Sequence, residues 1–158
     1  MIAVVALLLA AASGAPGRES LGVWNYWGAF RDEAPRRCFA IATPARTGAR
    51  PGWRPFASIA SWPGANRRQV LFVRLSAVRD AAGPVTLSVG DRRFRLAGQG
   101  SGVWSPDAAT DRAVVAALRG ERSMSIEAVA ANGRAFADTY LLAGAATAID
   151  AATLGCLG

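Results

Sequence analysis

"PVTLSVGDRRFRL" (84–96) alternates apolar and polar residues on either side of a Gly-Asp pair. Alternation with period two marks a strand that buries one face, and Gly90-Asp91 reads as a two-residue hairpin turn. That turn sets Val89 opposite Arg92, Leu87 opposite Phe94 and Val85 opposite Leu96. One face of the hairpin is then largely apolar, and the other carries Thr86, Ser88, Arg93 and Arg95. The expected structure is antiparallel, with one side on a core and one side in water.

The same grammar extends in both directions. Upstream, "LGVWNYWGAF" (21–30), "CFAIAT" (38–43) and "FASIASW" (56–62) read as strands. "QVLFVRLSA" (69–77) is apolar on both faces and suits a central strand. "TPARTGARPGWRP" (43–55), with three prolines and two glycines, is a loop. Downstream, "SPDAATDRAVVAALRG" (105–120) reads as a helix. Ser105 is the expected N-cap, Pro106 fits the first turn, and Asp107 suits the positive end of the dipole. Asp111, Val114, Val115 and Leu118 fall on one side of it, and Gly120 ends it. "SMSIEAVAANGRAFADTYLL" (123–142) is a second hairpin turning at Asn132-Gly133, with Met124, Ile126, Ala128 and Leu141 as its apolar face. "GAATAIDAATLGC" then suggests a short helix that delivers Cys156. Seven or so strands with frequent turns predict an all-β fold: a mainly antiparallel β-sandwich or partly closed barrel with one or two short helices.

The N-terminal "MIAVVALLLAAASGAPG" has the apolar stretch and small-residue region of a secretory signal peptide. Its apolar run, Ile2–Ala12, is about half the roughly 20 residues of a membrane-spanning helix. Residues 1–14 are therefore expected to be removed, leaving 15–158 as a single β-rich domain with no transmembrane span. The expected location is the periplasm or the outside of the cell. In such an oxidising compartment the two cysteines, Cys38 and Cys156, are expected to pair. The loop closed is more than 100 residues long, which the chain-entropy model values at about 5 kcal/mol.

All 18 basic residues are arginine, there is no histidine, and the formal net charge is +7. Without His or Lys the chain has no Ser-His-Asp or Cys-His arrangement, no imidazole metal ligand and no Schiff-base lysine. Carboxylate chemistry remains. A two-residue Asn-Gly turn sets Glu127 opposite Asp138, about 5 Å apart, the spacing of a retaining glycosidase. The ordinary alternative is a solvated face shared with Arg134. The expectation is no enzyme, no cofactor and no metal, with a small carboxylate-dependent hydrolase as the rival.

Two groups of side chains are candidates for binding. Arg36, Arg37, Arg93 and Arg95 suit an anionic envelope polymer such as lipopolysaccharide or peptidoglycan, since guanidinium pairs with phosphate and carboxylate in bidentate fashion. Dispersed solubilising charge is the alternative. Trp24, Tyr26 and Trp27 suit a stacking surface for a glycan or for another envelope protein, with the core as their commoner place. Read as one strand, 21–30 puts Trp24, Tyr26 and Phe30 on one face and Trp27 on the other. Nucleic acid is not an expected partner, because no recognition motif is present.

The order of elements resembles the invasion associated locus B family of Gram-negative envelope proteins. The likeness is carried by "GVWNYWGAFRD" (22–32), "RRCFAIATP" (36–44), "VTLSVGDRRFRL" (85–96), "DAATDRAVVAALRGERSMSIEA" (107–128) and "DTYLLAGAATAID" (138–150). Typical members carry two cysteine pairs, and only Cys38 falls where one of those cysteines would be. The resemblance implies a secreted β-rich protein linked by name to host-cell entry, with no established enzyme activity and no functional residues to carry over.

Overall fold

A computed structural model describes residues 17–157; the expected leader, 1–14, lies outside them. Ten strands form the scaffold: β1 (Arg18–Trp24), β2 (Trp27–Glu33), β3 (Arg36–Ala42), β4 (Phe56–Trp62), β5 (Arg67–Arg74), β6 (Val85–Val89), β7 (Arg92–Gln99), β8 (Gly102–Trp104), β9 (Ser123–Val129) and β10 (Ala135–Leu141). Two helices accompany them, α1 (Ala108–Leu118) and α2 (Ala145–Gly155). The strands lie in the order β1-β2-β3-β4-β5-β8-β7-β6-β9-β10, antiparallel at every pair. The fold is all-β, a sandwich with short helices.

Strand β7 joins the two layers. Its first half pairs with β6 and its second half with β8, so the chain switches sheets within one strand, as corner strands do. Gly98 lies at the switch, and a Cβ there would collide with the Gly102 carbonyl oxygen and Val103. The inner faces of both layers meet in one core that includes Trp27, Leu71, Val73, Leu87, Ile126 and Tyr140. The 84–96 hairpin has the register its sequence predicts, Val85↔Leu96, Leu87↔Phe94 and Val89↔Arg92. Val85, Leu87, Val89 and Leu96 are buried, while Arg93 and Arg95 are exposed.

Both helices close the core. Helix α1 packs on β5, β6 and β7, and α2 on β1 through β4. Asp111, Val114, Val115 and Leu118 form the buried side of α1. The buried carboxylate of Asp111 accepts a hydrogen bond from the Leu71 backbone N–H at 2.9 Å. Helix α2 ends at Cys156, whose sulfur is bonded to Cys38 with the Cα atoms 5.8 Å apart. Arg31 anchors the same end. It pairs with Glu19 and Glu33 at 2.6 and 2.8 Å and donates to the Gly155 carbonyl at 3.4 Å.

Three local expectations are corrected. The N-cap of α1 is Asp107, whose side chain accepts from the Thr110 N–H at 2.7 Å; Ser105 is buried two residues earlier, outside the helix. "LGVWNYWGAF" is a hairpin rather than one strand, because Asn25 takes a left-handed conformation (φ 50°) and Trp24 pairs with Trp27. Asparagine tolerates that region better than other side chains, and the aromatic residues around it obscure the turn.

The third correction concerns the Asn-Gly hairpin. Its loop has three residues. The Gly133 N–H donates to the Ala130 carbonyl, the Ala130 N–H donates to the Arg134 carbonyl, and Gly133 supplies the positive φ of 82°. A turn followed by a left-handed residue is the usual three-residue hairpin loop. The register shifts by one, so Asp138 lies opposite Ile126 and Glu127 opposite Ala137. A one-residue slip moves every side chain to the other face. Asp138 therefore points into the core, Tyr140 replaces Leu141 among the buried residues, and Glu127 stays in solvent.

Candidate functional site

Antiparallel strands normally turn one face to the core and the other, polar, face to water. The outer face of β1 to β5 and β8 departs from this rule. Register places its side chains in rows across the strands. One row runs Phe30↔Phe39↔Ala60↔Val70. The next runs Ile41↔Ser58↔Phe72↔Trp104. Phe30 stacks on Phe39 with centroids 5.7 Å apart, and Phe56 lies 5.8 Å from Phe72. These strands bury their opposite faces in the core, so the outer rows are apolar surface beyond what the core uses. They form an open groove of about 580 Å³, within the range of about 300–1,000 Å³ usual for small-molecule sites.

Arginines gather at one end of the groove. Register sets Arg18 opposite Asp32 and Asp32 opposite Arg37, with Trp62 opposite Arg67. The Arg18 Nε reaches Asp32 Oδ1 at 2.8 Å, and the Arg37 Nη2 reaches Asp32 Oδ2 at 2.7 Å. Both guanidiniums also lie over the Phe39 ring, 5.0 and 4.4 Å from its centroid. The Arg18 hydrogen bond, reinforced by Arg37, holds the Asp32 carboxyl below the usual carboxylate range, and the same bond raises Arg18. Arg67 lies over Trp62 at 5.0 Å and makes no ion pair among the described residues. A second cleft of about 430 Å³ adjoins this end and shares Arg18, Arg37 and Trp62.

The sequence-derived candidates are distributed unevenly around this face. Arg37 lines the groove. Arg36, opposite Glu33, projects to the other side of β3. Arg93 and Arg95 lie on the outer face of the second layer, where Arg93 donates to Ser88 Oγ at 2.8 Å. The four arginines do not converge. Of the aromatic trio, Trp27 is corrected from surface to core: it is 0% exposed and its Nε1 donates to the Leu141 carbonyl at 2.9 Å. Trp24 packs partly against the core, and Tyr26, at the hairpin turn, is 56% exposed. Glu127 and Asp138 point to opposite faces of their hairpin, so the expected carboxylate pair does not form. Asp138 is 0% exposed and accepts from Thr47 Oγ1 at 2.7 Å and from the Ser76 N–H at 2.8 Å. It fastens the 43–55 loop and the chain after β5 to β10.

The groove residues missed by sequence reading are Phe39, Ile41, Phe56, Phe72, Trp62, Trp104, Arg18 and Arg67. The available signal was the apolar character of β3, β4 and β5 on both faces, which reads equally well as double burial. Among the described residues no group of three or more His, Cys, Asp or Glu is placed to hold a metal, and no helix is long and apolar enough to cross a membrane. No protein-family model, curated protein or solved structure matches the chain.

Proposed function

We propose that the chain is an exported, non-enzymatic protein of the Gram-negative cell envelope, resembling the invasion associated locus B family. It acts by binding an anionic envelope component on the outer face of β1 to β5 and β8. The observation that carries this reading is that face itself: an apolar groove with Arg18, Arg37 and Arg67 at one end and no acidic side chain in its lining. The N-terminal apolar run and the Cys38–Cys156 bond support export to the periplasm or beyond. The divergence of Glu127 and Asp138 removes the geometric basis for the hydrolase alternative.

Retention on immobilised lipopolysaccharide and peptidoglycan, at low and high salt, tests the reading. Retention that weakens with salt and with Arg67→Ala is expected, since exposed charges are screened beyond about 10 Å at 0.1 M salt. Retention indifferent to both would sink it. Cell fractionation with crosslinking tests the location, and recovery in the cytoplasm with residue 1 attached would contradict export.

A further inference from the structure

The groove is chemically uneven along its length. Phe39, Ile41, Phe56, Val70, Phe72 and Trp104 supply carbon over most of its lining. Ser58 is the one hydroxyl among the lining residues, and its Oγ already donates to the Phe72 carbonyl at 3.4 Å. The backbone beneath is engaged in the ladders of β3, β4, β5 and β8. A polyhydroxylated ligand pressed here would leave hydroxyls unpaired, at about 1–3 kcal/mol each. A hydrocarbon chain would gain about 0.8 kcal/mol per methylene removed from water.

The arginines of the groove lining, Arg18, Arg37 and Arg67, gather at one end. Asp32 offsets part of the charge of Arg18 and Arg37, and Arg67 is unpaired among the described residues, so that end stays net positive. At the far end Arg74 lies over Trp53 at 4.4 Å, outside the groove lining. The apolar floor spans four strands, about 14 Å. With a volume of about 580 Å³, it has room for one chain rather than a bundle of chains.

We propose that this face takes a single-chain anionic amphiphile of the fatty-acid class, with its acyl chain in the groove and its carboxylate at Arg18, Arg37 and Arg67. This rests on the reading of the face as the binding face and names the ligand class. The net charge of +7 opposes a second copy as occupant.

The test uses protein secreted by cells expressing the full chain, stripped of lipid. Laurate is titrated below its micellar range while tryptophan emission is followed, since Trp62 and Trp104 line the groove. Saturable binding is expected, with the neutral-headed dodecyl maltoside roughly tenfold weaker or worse, as loss of about 1.4 kcal/mol would give. Inorganic phosphate alone should leave the emission unchanged. Ile41→Gln should weaken laurate by roughly tenfold and Arg67→Ala by several-fold, with unaltered circular dichroism. Trp104→Gln, at a more exposed position, serves if Ile41→Gln does not fold. Equal binding of laurate and dodecyl maltoside would overturn the proposal. So would loss of a dimer on Ile41→Gln, which would assign the face to a second copy. If laurate is inert while lipopolysaccharide retention still depends on Arg67, the amphiphile is wrong and the anionic-ligand reading stands. If neither Arg67→Ala nor Ile41→Gln affects any binding, both fail.

Discussion

The two outer faces of the sandwich are built from the same kind of strand and differ in what they show to water. On the second layer, β6, β7 and β9 present Thr86, Ser88, Arg93, Arg95, Ser125 and Glu127. That is the ordinary solvated face, polar and mixed in charge. On the first layer, β3, β4, β5 and β8 turn half-buried Ile41, Phe56, Val70 and Phe72 and exposed Trp104 outward, with Phe39 buried beneath the Arg18 and Arg37 guanidiniums. Both layers bury a largely apolar inner face in one core, so core formation does not explain the difference. Solubility alone favours a polar outer surface on both layers, and contiguous exposed apolar surface is usually a site of interaction. The second layer shows the polar outer face usual for this kind of strand, and the first layer departs from it over a compact, arginine-rimmed area.

The first way to break the contrast is to remove the bond that holds α2 against the inner side of the first layer. Cys38→Ser/Cys156→Ser should cost about 5 kcal/mol of stability, from the loss of a loop constraint spanning 118 residues. In hydrogen exchange, protection should fall first in β2 to β4 and α2. Uniform loss across both layers would show that they unfold as one and share their stability.

Next in size is a contrast within one hairpin. Asp138→Ala removes a buried acceptor and strands the Thr47 hydroxyl and the Ser76 N–H, for a cost of about 2–4 kcal/mol. Glu127→Ala on the exposed face should stay within about 0.5 kcal/mol. Chemical denaturation of the two variants checks the three-residue loop, and equal losses would restore the facing register.

Acid should destabilise the groove end, where a paired carboxylate supports the fold. Arg18 holds the Asp32 carboxyl below its ordinary range, and Arg119, bonded to Asp150 at 2.6 Å, does the same between α1 and α2. A depressed folded-state value stabilises the fold above the unfolded value and loses that effect as pH falls through the folded one. The melting temperature should hold from neutral pH to about 4 and drop below it, less steeply in Asp32→Asn. A curve identical to the parent's would remove Asp32 from the account.

The smallest effect is also the sharpest for function. Phe72→Gln on the half-buried apolar face should cost only about 1 kcal/mol while abolishing ligand retention. Ser88→Val on the polar face should change stability by no more than about 0.5 kcal/mol and leave retention untouched. Parity between the two variants in retention would erase the distinction between the faces.

Much of the architecture is legible in the chain. The 84–96 hairpin could be read to the residue, because Gly90-Asp91 and the alternation of Val85, Leu87 and Val89 specify the same register. The buried side of α1 followed from spacing, and the disulfide from two cysteines in a chain that opens with a leader-like apolar stretch. Reading stopped where two local rules competed. Asn132-Gly133 is compatible with a two- or a three-residue loop, and only the packing of Asp138 against Thr47 and Ser76 selects between them. Asn25 turns the chain inside an aromatic run that reads as a strand. Strand β8, three residues long, is too short to leave a pattern.

The sequence by itself determined that this protein is all-β and antiparallel, that Cys38 and Cys156 are the two sulfurs that can pair, and that His- or Lys-dependent chemistry is closed to it. Those properties depend on residue type and on spacing within a few residues. Only the tertiary structure decided which face of an apolar strand is core and which is groove. Phe39 and Ile41 alternate with Cys38 and Ala40 as equally apolar neighbours, and local sequence does not say which side α2 and the second layer cover. Tertiary structure likewise brought Arg18, Arg37 and Arg67 to one end, because strands far apart in the chain become neighbours only through cross-strand pairing.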